Sequence, residues 1–155
     1  MRLAPGKHVT LPAEVRGALE QLFGNDAAPL DHVRVIEHSL FARLHGGAVA
    51  TTRRRRIFLR GSAAEFFGNP TLMLHEYCHV LRQWEPRRLS TMRYLRECLR
   101  RGYWNNRFEI EAREFASEHE PRFRQMLRDM SAMHGAAPAR SAAGVALRIN
   151  LRGGG

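Results

Sequence analysis

Two histidines four residues apart, His75 and His79, bracket a glutamate in the run H-E-Y-C-H at residues 75–79. On a helix, side chains one turn apart share a face. Both imidazoles can then reach one Zn²⁺, which takes nitrogen ligands at about 2.0–2.1 Å. A glutamate directly after the first histidine stands beside such an ion. Glu76 is thereby placed to take a proton from zinc-bound water, whose pKa the ion lowers to about 7. The expected chemistry is peptide-bond hydrolysis, in which water attacks a polarised carbonyl and Glu76 passes the proton to the leaving amine. A shuffled chain of this composition would hold the pattern about 0.03 times, so the spacing carries weight.

The elements around the motif suit it. Asn69 is a good N-cap and Pro70 a good first helical residue, and the helix is expected to run to Glu85 and stop at Pro86. At about 100° per residue, His75, Glu76, His79, Leu72 and Gln83 fall on one side. Met73, Tyr77, Val80 and Trp84 form an apolar stripe opposite, which places the histidines off the face expected to be buried. A catalytic zinc needs a third protein ligand. The extended motif with glycine and histidine three and six residues on is absent, because those positions are Arg82 and Glu85. The best source is N-N-R-F-E-I-E-A-R-E-F-A, residues 105–116. Glu109 shares a face there with Ala112 and Ala116, whose small side chains let a second helix approach. Glu109 is preferred, with Glu111, Glu114 and His119 as alternatives.

Further out, L-P-A-E-V-R-G-A-L-E-Q-L-F-G reads as a short amphipathic helix with Val15, Leu19 and Leu22 on one face. D-H-V-R-V-I-E-H alternates like a strand, and S-L-F-A-R-L-H-G-G reads as a short helix. A-V-A-T-T and R-I-F-L-R read as strands joined by the charged run Arg53 to Arg56. Helices follow from Ser90 to Arg101, Asn105 to about His119, and Pro121 to about His134. A mixed half followed by an all-helical half predicts an α+β fold, with one domain over 1–134. The glycine-rich, aperiodic residues 135–155 are expected to form a flexible tail.

The chain has 155 residues and a net charge of +10, nearly all from arginine, since Lys7 is the only lysine. That excess fits a solvated surface with weak, non-specific contact to nucleic acid or an acidic partner. Two cysteines, Cys78 and Cys98, make no disulfide framework, and Cys98 is expected to be a small core residue. No stretch approaches a membrane span, and the N-terminus lacks a signal h-region. The expectation is a cytoplasmic monomer, unless a dedicated machine exports it. Tyr103 and Trp104 read as packing anchors before the Glu109 helix.

The order L-P-A-E-V-R-G-A-L-E-Q-L-F-G-N-D, V-R-V-I-E-H, A-V-A-T-T, R-I-F-L-R-G, L-H-E-Y-C-H-V-L-R-Q, over about residues 11–85, resembles a bacterial family of metallopeptidase-like domains. Members are often encoded near contractile injection systems. The resemblance implies a zincin-like fold of gluzincin type, with His75 and His79 as zinc ligands and Glu76 as base. E-I-E-A-R-E-F-A is similar to the gluzincin third-ligand helix E-x-x-A-[DN]-x-F-A, which implies Glu109 as ligand. Arg113 departs from that pattern where Asp or Asn supports a histidine ligand, and Arg82 stands where glutamine is usual. Both departures bear on how the ligands are oriented. A rival likeness, of H-E-Y-C-H with the later H-E-P-R-F to SprT-like DNA-associated proteases, implies His119 as third ligand. A different class of reading is a non-catalytic zinc-binding interaction module. The expected activity is zinc-dependent hydrolysis of a peptide or protein substrate.

Overall fold

A computed structural model describes residues 6–44 and 48–135. Four strands form one sheet: β1 (Lys7–Val9), β2 (Arg34–Glu37), β3 (Ala50–Arg53) and β4 (Arg56–Leu59). Their order is β1-β2-β4-β3. β2 pairs parallel with β4, while β1 and β3 pair antiparallel with β2 and β4. Strand β3 therefore lies at a sheet edge. The β3–β4 connection is the two-residue turn Arg54–Arg55, in which Arg54 takes φ 54°, so the arginine run is a hairpin turn.

Val35, Ile57 and Leu59 bury one face of the sheet. Helices α1 (Ala13–Phe23), α2 (Leu40–Leu44), α3 (Ala63–Phe67), α4 (Pro70–Cys78), α5 (Thr91–Arg101) and α6 (Arg107–Gly135) complete the fold, with a 3-10 helix over Gly24–His32. α1 buries Val15, Ala18, Leu19 and Phe23, with Leu22 partly buried, and packs on α6. Helix α4 runs between α6 and the sheet edge. Asn69 Oδ1 accepts from Leu72 N at 3.0 Å, and Pro70 sits in the first turn, so this helix starts where its sequence says.

The mixed α/β architecture agrees with the expectation, and several details differ. The helix from Pro70 does not run regularly to Glu85, because His79–Trp84 widens into a π-helix in which Glu85 N bonds Val80 O at 3.0 Å. Such insertions gather at functional sites. Pro121 does not divide two helices but sits inside α6. Proline inside a helix loses one backbone bond. Here Phe115 and Ala116 before it and Phe123 and Met126 after it enter one core, and that shared burial keeps the helix continuous. β1 and α3 were not anticipated. α3 carries a full capping box, Ser62 with Glu65.

The division of α4 into a buried and an open side also needs correcting. Glu76, His79 and Gln83 are as buried as Met73, Tyr77 and Val80, whereas Trp84 is only partly buried. α4 is covered on most faces, and the polar side chains Glu76, His79 and Gln83 meet polar partners, while His75 is only partly buried. Tyr103 and Trp104 are not buried anchors, since Trp104 is 73% exposed. Cys98 is partly buried. The tail expected over 135–155 lies outside the described residues, except Gly135, which ends α6.

Candidate metal centre

His75 and His79 project from consecutive turns toward the first turn of α6, where Glu109 meets them. The Nε2 atoms of the histidines stand 3.1 Å apart. Glu109 Oε2 lies 3.2 Å from His75 Nε2, and Oε1 lies 3.5 Å from His79 Nε2. Ligand atoms on a tetrahedron about zinc stand about 3.3 Å apart, given bonds of about 2.0–2.1 Å. The three separations lie near that value, the Glu109 carboxylate meeting each histidine through a different oxygen, and these side chains can hold a metal ion in common.

Glu109 Oε2 is buried and makes no hydrogen bond despite its closeness to His75. An ion at the centre of the three groups would satisfy it. Gln83 decides the tautomer of His79. Its amide nitrogen donates to the Phe108 carbonyl at 3.0 Å, so its oxygen faces His79 Nδ1 at 2.8 Å and must accept. Nδ1 therefore carries the hydrogen, and Nε2 presents its lone pair to the centre. The π-helix carries Gln83, which is fully buried.

Tyr94 of α5 donates to Glu109 Oε1 at 2.8 Å. Burial alone would raise the Glu109 carboxyl. Its contacts with His75, His79 and Tyr94 reverse this and hold it far below the usual carboxylate range. Burial likewise opposes charge on His79, yet Glu109 and Glu76 raise it on balance. Burial, reinforced by Glu109, pushes the Tyr103 hydroxyl up to about 12. These shifts mark a desolvated anion beside two imidazoles.

Asn106 locks α5 to α6. It is buried, donates to Cys98 Sγ at 3.2 Å and to the Tyr94 carbonyl at 3.4 Å, and accepts from Phe108 N at 3.0 Å. Thr52, on edge strand β3, donates to Glu76 Oε2 at 2.6 Å. Glu76 thus sits beside the triad with one carboxylate oxygen tied and the other unclaimed among the hydrogen bonds of the described residues. A cavity of about 980 Å³ opens over the group, walled by β3 on one side and by Tyr94, Leu95, Tyr103 and Trp104 on the other.

The other ligand candidates lie elsewhere. Glu111 pairs with Arg88 at 2.8 Å. His119 stacks on Phe115 at 4.3 Å and bonds the Phe115 carbonyl through Nδ1. Neither His119 nor Glu114 joins the cluster. Arg113 lies over the Trp104 ring at 5.5 Å. Arg82 lies over the Phe115 ring at 5.1 Å and leaves His79 to Gln83. Thr52, Tyr94 and Asn106 were not anticipated as site residues, since none belongs to a spaced motif.

Residues 10–87 match the family model described as the eCIS core domain, of the extracellular contractile injection system. No curated protein and no solved structure matches the chain. The family match takes in about half of the chain, including His75, Glu76 and His79 but not Glu109, and the chain belongs to that family.

Proposed function

We propose that this member of the eCIS core domain family is a zinc-dependent peptide hydrolase of gluzincin type. The observation that carries the reading is the cluster of His75, His79 and Glu109, whose imidazole nitrogens and carboxylate oxygens stand 3.1 to 3.5 Å apart, with the Glu76 carboxylate beside them in an open cavity. Two imidazoles and one carboxylate are a donor set suited to Zn²⁺ with one position left open. When bound, the metal supplies a Lewis acid that polarises a carbonyl and acidifies water.

The remaining work falls to the chain itself. His75, His79 and Glu109 fix the site, with Gln83 and Tyr94 setting the orientation of two of them. Glu76 accepts the proton of the attacking water at Oε1, because Thr52 occupies Oε2, and delivers it to the leaving amine. The outer edge of β3, which no strand of the described residues covers, lines the cavity and offers a backbone edge to an extended peptide.

The test is elemental analysis with a matched pair of proteins. The purified chain should carry close to one zinc, and Glu76→Gln should keep the metal while losing hydrolysis of an unfolded protein substrate. A chain that stays metal-free in zinc-supplemented buffer, or a Glu76→Gln variant as active as the parent, refutes the reading. A chain that holds zinc and never hydrolyses a peptide would instead be a non-catalytic zinc-binding module.

A further inference from the structure

Eight large apolar side chains are strongly exposed among the described residues. Isolated cases of this kind are ordinary. Here six gather at one place. Val49, Leu95, Tyr103 and Trp104 line the cavity over the triad. Met92 and Leu99, 75% and 88% exposed, lie three and four residues either side of Leu95 and share its face of α5. The stripe Met92–Leu95–Leu99 thus continues the cavity wall outward.

The charges on its outer rim are cationic, and the carboxylates Glu76 and Glu109 lie within the cavity. Arg96 and Arg100 flank the stripe on the helix wheel, and Arg53 lines the opposite wall. None of the three has an ion pair among the described residues. The other α5 arginines are engaged, Arg93 with the carbonyls of Arg87 and Arg88 and Arg101 with Glu97. Helix α5 turns only Tyr94, Glu97 and Cys98 inward, so its outer face is uncovered among the described residues.

We infer that this rim is the docking surface for the substrate polypeptide, and that it selects segments rich in bulky apolar side chains interspersed with carboxylates. This rests on the hydrolase reading of the cavity. Continuity with the cavity favours a substrate chain over other occupants. A flat membrane cannot follow an apolar surface down into a concave cleft. A second copy would set Arg96 and Arg100 against themselves across a two-fold axis.

The test uses the full-length, zinc-loaded Glu76→Gln protein and fluorescence anisotropy. The probe is a labelled synthetic peptide alternating leucine and phenylalanine with glutamate and aspartate. Sister peptides replace the acids by lysine or the apolar residues by serine. The acidic apolar peptide should bind best. Met92→Ser/Leu99→Ser and Arg96→Glu/Arg100→Glu should each weaken it by about tenfold or more, with zinc content unchanged. Both pairs change exposed side chains, and a thermal melt verifies folding. Equal binding of all three peptides, no binding, or unaltered affinity in both variants overturns the proposal. Self-association, or capture by phosphatidylglycerol vesicles, that vanishes in Met92→Ser/Leu99→Ser overturns it in favour of a second copy or a membrane. With Glu76 restored, the failures separate. Hydrolysis with unchanged KM in the rim variants sinks the docking surface alone, whereas rim-dependent binding without hydrolysis sinks the catalytic reading alone.

Discussion

Removing a single hydroxyl, in Tyr94→Phe, should weaken metal binding without touching a ligand. Tyr94 donates to Glu109 Oε1 at 2.8 Å, while Oε2 has no hydrogen bond. A hydrogen bond to a buried charged group is worth about 1.5–3 kcal/mol. Its loss should reduce zinc affinity by about 10–100-fold, the range seen when groups that orient a ligand are removed. The phenylalanine ring keeps the packing, so the folded state should persist. The assay is competition against a chromophoric chelator at neutral pH, with Thr52→Val as the comparison. Thr52 touches Glu76 rather than a ligand. Its variant should keep zinc affinity within about twofold while slowing hydrolysis through a mispositioned base. A Tyr94→Phe protein that binds zinc like the parent, or a Thr52→Val protein that loses as much metal, would refute this division of labour.

Glu109→Ala should release zinc readily to a chelator, whereas Glu111→Ala, Glu114→Ala and His119→Ala should hold it; an empty site in His119→Ala alone would revive the SprT-like reading. Gln83→Leu leaves His79 Nδ1–H buried without its partner and removes the amide bond to the Phe108 carbonyl, so urea unfolding should show a loss of about 1–3 kcal/mol. An unchanged midpoint would mean that water replaces the amide. Binding to DNA should be weak and fall steeply with salt, as counterion release requires, and filter binding across a salt series checks it. Tight, sequence-selective binding that resists salt would show that the arginines read bases.

Much of the centre was legible because ligand chemistry constrains sequence tightly. The spacing of His75 and His79 follows from one helical turn, and Glu109 was singled out by its small neighbours. Ala112 and Ala116 are buried as that reasoning requires, and α4 packs on α6 there. The capping box Ser62–Glu65 was equally legible, since S-x-x-E is a helix-start pattern, yet the short α3 went unread. Pro121 misled for the opposite reason. A local rule about backbone donors was overridden by burial on both sides of it.

What hydropathy could not reveal was that the polar face of α4 is buried. Periodicity assumes that polar side chains face water, and the assumption fails wherever each polar atom finds a partner inside. Gln83 spends its amide on Phe108 and His79, Glu76 meets Thr52, and Glu109 meets Tyr94. These partners come from β3, α5 and the start of α6, elements far apart in the chain. No spacing rule links Thr52 to Glu76 or Tyr94 to Glu109, because their distance is set by how whole elements pack. The spacing of the candidate ligands His75 and His79 is therefore written locally, and the orientation of the cluster globally. Substitutions at Thr52, Gln83 or Tyr94 should then leave the HExxH motif intact while altering what it can do.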